Sequence, residues 1–179
     1  MQDKIIIAGQ GGQGALRIGQ MIAYAAMSEG KETTWLPSYG AEMRGGTANC
    51  SVIVAGGLIA SPIISAPNYC IVMNRPSLLK FESWVQPGGA LIVDSSMASD
   101  PVTRTDISVY EVPADTIAEE EGNSRGTNMV LLGVYLALSG NVELSSVFEV
   151  IDNSFTGRKA KYADSNKRLV QRGYDFVKA

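Results

Sequence analysis

Short apolar runs broken by glycine alternate along this chain with longer stretches of helical period, and that alternation sets the expected architecture. Ile5-Ile6-Ile7-Ala8 is a continuous apolar run of strand length, as expected where both faces of a strand are covered. Gly9-Gln10-Gly11-Gly12-Gln13-Gly14 interrupts it, and helical period follows from Ala15 to Ser28. Within that stretch Arg17, Gln20, Tyr24 and Ser28 form one narrow polar or amphipathic stripe. Leu16, Ile18, Met21, Ile22, Ala25 and Ala26 are apolar or small, so the spacing predicts a helix buried around most of its circumference. Gly30 ends it.

Thr33-Thr34-Trp35-Leu36 then reads as a second strand, parallel to the first through a right-handed crossover. From Thr47 to Ala55 the pattern alternates, with Ala48, Cys50, Val52 and Val54 on one face and Thr47, Asn49 and Ser51 on the other. Gly56-Gly57 is a two-residue turn signal, which predicts that Leu58-Ile59-Ala60 returns as the antiparallel arm of a hairpin. Tyr69-Cys70-Ile71-Val72-Met73 and Ala90-Leu91-Ile92-Val93 are further buried strands, and Ile107 to Val112 is a last one. Pro76 suits the first turn of a helix running through Trp84. Helical stretches follow at Asp115 to Glu121, Thr127 to Ser139, Glu143 to Ile151 and about Lys159 to Val177. Strands alternating with helices predict one α/β domain over residues 1–179: a three-layer, Rossmann-like mixed sheet, mostly parallel with an antiparallel hairpin.

Composition removes several kinds of chemistry. There is no histidine, so a Ser–His or Cys–His nucleophile pair, a histidine base and most zinc sites are excluded. Cys50 and Cys70 are too few for an iron–sulfur cluster, which needs about four thiolates, and they read as buried small hydrophobes. Acidic and basic residues nearly balance, 18 against 15, with no basic run, which argues against a nucleic-acid partner. No signal peptide or membrane-length apolar run is seen, so the expected setting is the cytoplasm. Charged residues are only 18% of the chain, and the nearly unbroken apolar stretch from Asn128 to Leu138 leads us to expect self-association of the isolated chain.

Two loops carry the candidate chemistry. Gly9, Gly11 and Gly14 have the spacing of a glycine turn between a strand and a helix, where free backbone N–H groups favour an anion. Gly12 and Gln13 complete it, and the same spacing also serves a plain tight turn that packs helix on strand. The acid that would hold a dinucleotide's ribose is missing, because the second strand ends Trp35-Leu36-Pro37. Ala15-Leu16 stand where a P-loop needs Lys and Ser/Thr. The second loop holds Tyr39, Glu42, Arg44, Gly45 and Gly46 and is expected to end beside the first. Its charged pair fits an anion clamp, an internal pair fixing the loop, or a contact with another subunit.

Gly9-Gln10-Gly11-Gly12-Gln13-Gly14 followed by Tyr39-Gly40-Ala41-Glu42-Met43-Arg44-Gly45-Gly46-Thr47 resembles the gamma subunit of 2-oxoacid:ferredoxin oxidoreductases. Ser61-Pro62, Asn74-Arg75-Pro76-Ser77-Leu78, Gly88-Gly89 and the helix from Asn128 to Gly133 extend the match over nearly the whole chain. Ala41 stands where many members have proline, and Met43 where indolepyruvate enzymes usually have Gln. The resemblance implies a complex that oxidatively decarboxylates a 2-oxoacid to an acyl-coenzyme A and passes two electrons to ferredoxin. It implies alpha-, beta- and ferredoxin-like delta-type partners, which hold thiamine diphosphate, magnesium and iron–sulfur clusters. The gamma chain itself is then an accessory subunit without redox centres, inactive alone and near the approach of coenzyme A. The long loop motif leans towards the 2-oxoglutarate branch, with a branched-chain 2-oxoacid or pyruvate-type complex of the same family as the alternative.

Overall fold

The computed structural model describes residues 2–39 and 47–178. Six strands form one sheet in the order β2-β3-β1-β4-β5-β6. They are β1 (Gln2–Gln10), β2 (Glu32–Tyr39), β3 (Thr47–Ala55), β4 (Tyr69–Val72), β5 (Ala90–Asp94) and β6 (Ser108–Val112). The helices are α1 (Ala15–Ser28), α2 (Arg75–Phe81), α3 (Ala114–Glu120), α4 (Thr127–Ser139), α5 (Leu144–Ser154) and α6 (Ala163–Phe176). Short 3₁₀ turns follow α2 at Glu82–Trp84 and precede α6 at Gly157–Tyr162.

The run β1, β4, β5, β6 is parallel, whereas β3 pairs antiparallel with both β1 and β2. This bears out the mixed sheet and corrects its antiparallel part. β2 runs in the same direction as β1, but β3 lies between them. Leu58-Ile59-Ala60 forms no strand. Both hydrogen-bonding edges of β3 are already taken, by β1 and β2, so a returning arm after Gly56-Gly57 has no edge to join.

Alternate side chains of β1 feed two cores. Ile5 and Ile7 point into a large core beneath α1, α3, α4, α5 and α6, while Ile6 and Ala8 point into a smaller one beneath α2. The apolar α4 lies inside the helical layer, buried from Asn128 to Leu136 between the sheet and α6. The apolar run that led us to expect self-association is therefore core. No helix among the described residues is long and apolar enough to cross a membrane.

Asp3, buried near the start of β1, accepts hydrogen bonds from Tyr135 Oη (2.7 Å) and Ser139 Oγ of α4. That pins α4 to the central strand at the end of the sheet away from the glycine loop. Tyr135→Phe keeps the ring's packing but removes a donor from a buried carboxyl. We expect a loss of about 2 kcal/mol, to be checked by urea unfolding; an unchanged midpoint would mean that water replaces the phenol.

Candidate functional site

The parallel strands all end on one edge of the sheet, where loops and helix starts crowd together. The glycine turn lies there, and each of its glycines has a distinct role. A Cβ on Gly9 would lie 2.9 Å from Gln13 Oε1 and 3.1 Å from Met73 Cβ, so the missing side chain lets β1 close on the end of β4. Gly12 and Gly14 hold φ of +104° and +86°, in the left-handed region that side chains resist. A Cβ on Gly14 would also meet Asn128 Nδ2 at 2.5 Å. The last glycine thus makes room for the start of α4.

Gln13 works within the turn. Its Oε1 accepts from Gln10 N (2.6 Å) and its Nε2 donates to Met73 O (2.9 Å), tying the ends of β1 and β4 together. Gly12 is exposed at the bend, with Gly11 half-buried beside it. The turn therefore serves packing, as one reading of the sequence had it, and still presents its far side to a cavity.

Two cavities flank it. One, of about 380 Å³, is lined by Gly14, Arg17, Arg125, Asn128, Phe155 and Tyr162, among others. The Arg17 guanidinium stands 5.6 Å from the centre of the Phe155 ring. Asn123 Nδ2 donates to Asn166 Oδ1 (3.0 Å) and Ser165 Oγ (2.8 Å), which fixes the cavity's polar wall. The other cavity, of about 440 Å³, includes Gly12, Gln13, Asp94, Asp115, Arg125 and Thr127 in its lining. Arg125 is common to both. Among the described residues neither Arg17 nor Arg125 forms an ion pair with a carboxylate. In the first cavity two guanidinium groups beside the starts of α1 and α4 make a site suited to an anion, whereas Asp94 and Asp115 make part of the second cavity's wall acidic.

Asp94 closes the second cavity from the end of β5. Its carboxyl is buried and accepts from Ser96 N (3.2 Å). Burial first, and then the neighbouring Asp115, push its pKa up to about 6. Cys50 and Cys70 lie on β3 and β4, buried on opposite faces of the sheet. Burial pushes the Cys50 thiol up to about 12 and Cys70 higher still, so neither suits a thiolate ligand.

Of the second loop, Glu42, Arg44, Gly45 and Gly46 lie outside the described residues, as does the side chain of Tyr39. The strands that bound it do end at this edge, since Thr47 is paired with Gln10 and Tyr39 with Ala48. Sequence reasoning left Arg125, Asn128, Asp94 and Asp115 out of the site. The signals available were the acid closing an apolar strand run and the Arg125-Gly126-Thr127-Asn128 start of α4. The geometry of a dinucleotide fold is also altered, because β3 occupies the place beside β1 where a ribose-holding acid would come from.

A sequence model of the family described as "Pyruvate ferredoxin/flavodoxin oxidoreductase" matches residues 4–176. A ketoisovalerate oxidoreductase subunit VorA from Methanothermobacter thermautotrophicus is 39% identical over 176 residues, covering 98% of this chain and 36% of its own length. The chain thus spans little more than a third of that relative. A 2-oxoglutarate synthase subunit KorC from Methanothermobacter marburgensis is 34% identical over 161 residues, covering 86% of this chain and 87% of its own. The crystal structure of a keto/oxoacid ferredoxin oxidoreductase gamma subunit from Geobacter sulfurreducens superposes with a TM-score of 0.82 at 25% identity, over 99% of both chains. A 2-oxoglutarate:ferredoxin oxidoreductase from Magnetococcus marinus, with 2-oxoglutarate, coenzyme A and succinyl-CoA bound, shares the fold at a TM-score of 0.88 and 23% identity. That match covers 99% of this chain and 31% of the other.

Proposed function

The chain belongs to the pyruvate ferredoxin/flavodoxin oxidoreductase family, and from that we propose that it is a gamma-type subunit that helps to seat coenzyme A in a 2-oxoacid:ferredoxin oxidoreductase. The observation that carries this is the pair Arg17 and Arg125, without carboxylate partners among the described residues, on the cavities that flank the glycine turn. Coenzyme A carries phosphates, and a guanidinium fork binds phosphate in two places at once. Backbone N–H groups of the turn and the start of α4 would add donors, and Asn128 would add a side-chain amide. Arg44, in the adjoining loop, belongs to the same proposal as a further guanidinium.

Chemistry on the 2-oxoacid would be supplied by thiamine diphosphate, and electron transfer by iron–sulfur clusters, both held by alpha-, beta- and delta-type partners in the cytoplasm. This chain's contribution is to hold and orient the acyl acceptor. For the substrate we favour a branched-chain 2-oxoacid. Identity is higher against the ketoisovalerate relative than against the 2-oxoglutarate one, 39% against 34%, and more of this chain is matched, 98% against 86%, which moves the weight away from the reading drawn from the loop motif alone. 2-Oxoglutarate is the second reading. Ferredoxin reduction by the assembled complex, measured with each acid, decides between them.

Coenzyme A binding tests the site itself. In the assembled complex Arg125→Ala should raise the KM for coenzyme A by roughly tenfold, the scale of a lost charge-assisted contact. It should leave the KM for the 2-oxoacid unchanged. An unchanged KM for coenzyme A in both Arg125→Ala and Arg17→Ala would remove this role, and turnover by the isolated chain would remove the subunit reading.

A further inference from the structure

The two faces of the sheet are covered very unequally. On one side lie five helices, and the outermost of them is laced with ion pairs: Arg168 and Arg172 to Glu121, Arg172 to Glu120, and Lys167 to Asp152. That is a surface built to face water. On the other side the only regular helix among the described residues is α2, seven residues long, helped by the 3₁₀ turn at Glu82–Trp84 and by the irregular segment 56–67. Large apolar side chains stand out on this thin layer: Leu58 at 94% exposure, Ile63 at 75%, Leu79 at 56% and Trp84 at 41%. Isolated exposed hydrophobics are ordinary, but a group of them on one face marks a contact surface.

The layer also has a shaped receptor. A groove of about 660 Å³ runs between the irregular segment and the 3₁₀ turn, lined by Ile63, Ile64, Ala66, Trp84, Val85 and Pro87. Its rim is fixed in advance. Arg104 donates to the carbonyl oxygens of Glu82 and Val85 and pairs with Asp106, while Glu82 Oε1 accepts from Thr103 N at 2.9 Å. An apolar floor with a rigid polar rim is the anatomy of a binding hot spot, and a preformed one needs little ordering when it is filled.

The lengths of the relatives say what fills it. In the ketoisovalerate relative the matched part is 36% of the polypeptide, so this unit is tethered there to a remainder nearly twice its size. In the 2-oxoglutarate synthase relative the match takes up 87% of a chain of similar length, so the same unit also occurs as a separate chain. Where it is separate, the remainder must be held by a non-covalent surface, and a stable one buries on the order of 1,000 Å² or more around an apolar centre. The helical face exposes Tyr24, Met27, Tyr162 and Phe176 as well, but the cavity beside Tyr162 is the one assigned above to coenzyme A, which leaves the α2 groove for a subunit. We propose that the α2 face, centred on the groove between Ile63 and Trp84, is the docking surface for the subunit that corresponds to the remaining two thirds of the ketoisovalerate relative. The inference rests on the subunit reading given above.

The test is to titrate the purified chain with that separately produced subunit, following the affinity by calorimetry and tryptophan emission. Ile63→Asp places a charge in the groove at an exposed position, so the variant should melt with the wild type. It should bind roughly tenfold more weakly or worse. Tyr24→Asp, at an exposed position of α1 on the other side of the sheet, should bind as the wild type does, and the wild-type emission should shift to the blue as Trp84 loses water. Full affinity for Ile63→Asp, or loss of binding in Tyr24→Asp alone, would overturn the assignment of this face. A concentration-dependent dimer of the isolated chain with the same blue shift would overturn it in favour of a second copy. If the wild type forms no complex at all, the subunit reading falls with it, whereas an intact complex with Ile63→Asp fells only the surface.

Discussion

Gly133→Ala should lower stability by about 3 kcal/mol or more, although alanine is the better helix former by roughly 1 kcal/mol. The reversal of sign is what makes the substitution informative. A Cβ on Gly133 would overlap Val170 O of α6 and stand 2.8 Å from Tyr174 N. Gly173 of α6 is its counterpart, where an added Cβ would overlap Val130 O of α4. The neighbours at both places are backbone atoms, which cannot swing aside as a side-chain tip can. Accommodating the methyl group means moving α6 outward from α4, and α4 carries the buried run Met129 to Leu136 that ties the helical layer together. Loss of that contact also opens Leu169 and Val170, both fully buried. The urea midpoint of Gly133→Ala, set beside that of the wild type, reads the effect. A midpoint equal to or above that of the wild type would show that the helices separate at no cost, and that the close crossing is incidental.

The same helix shows where the sequence was legible and where it was not. Thr127 to Ser139 was readable as a helix to the residue, because an apolar run of that length closed by Gly140 allows little else. Its surroundings were not readable. An all-apolar helix is compatible with an inner position or an exposed contact face, and the choice depends on α6 packing over it through Gly133 and Gly173, some forty residues apart. The strand order shows the same gap. The alternation from Thr47 to Ala55 identifies a strand, but period alone says nothing of its neighbours, and Gly56-Gly57 pointed to the wrong one. At the site, the glycine turn was visible because φ > 0 and close approach demand glycine. Gln13 was grouped with the ligand-facing residues, yet its amide is spent on β1 and β4. Asp94 and Asp115 are twenty-one residues apart and meet only because β6 returns beside β5.

Asp94→Asn should raise stability at neutral pH and leave it unchanged in acid. In the unfolded chain this carboxyl titrates near 3.9; in the folded protein burial and Asp115 hold it at about 6. Between those values the folded state binds more protons than the unfolded one, so stability falls as pH rises through the window. Above it, the ionised Asp94 is a standing cost on the order of 2 kcal/mol. Asparagine keeps an oxygen for Ser96 N and carries no charge, so the variant should escape that cost. Melting temperatures at pH 3 and pH 7.5 give the comparison: coincident at pH 3, below the unfolded value, with the variant higher at pH 7.5. A smaller gain of the same sign is expected for Asp115→Asn, since Asp115 is the lesser cause of the shift. A variant less stable than the wild type at pH 7.5 would mean that the Asp94 carboxylate is held by a cation in the fold; Arg125 lines the same cavity. A buried acid that weakens the fold yet closes the cavity beside the glycine turn is the pattern expected where stability is given up for a site. If coenzyme A phosphates lie on this cavity, removing the Asp94 charge should also tighten coenzyme A binding by the assembled complex, whereas an acid remote from the ligand would leave it unchanged.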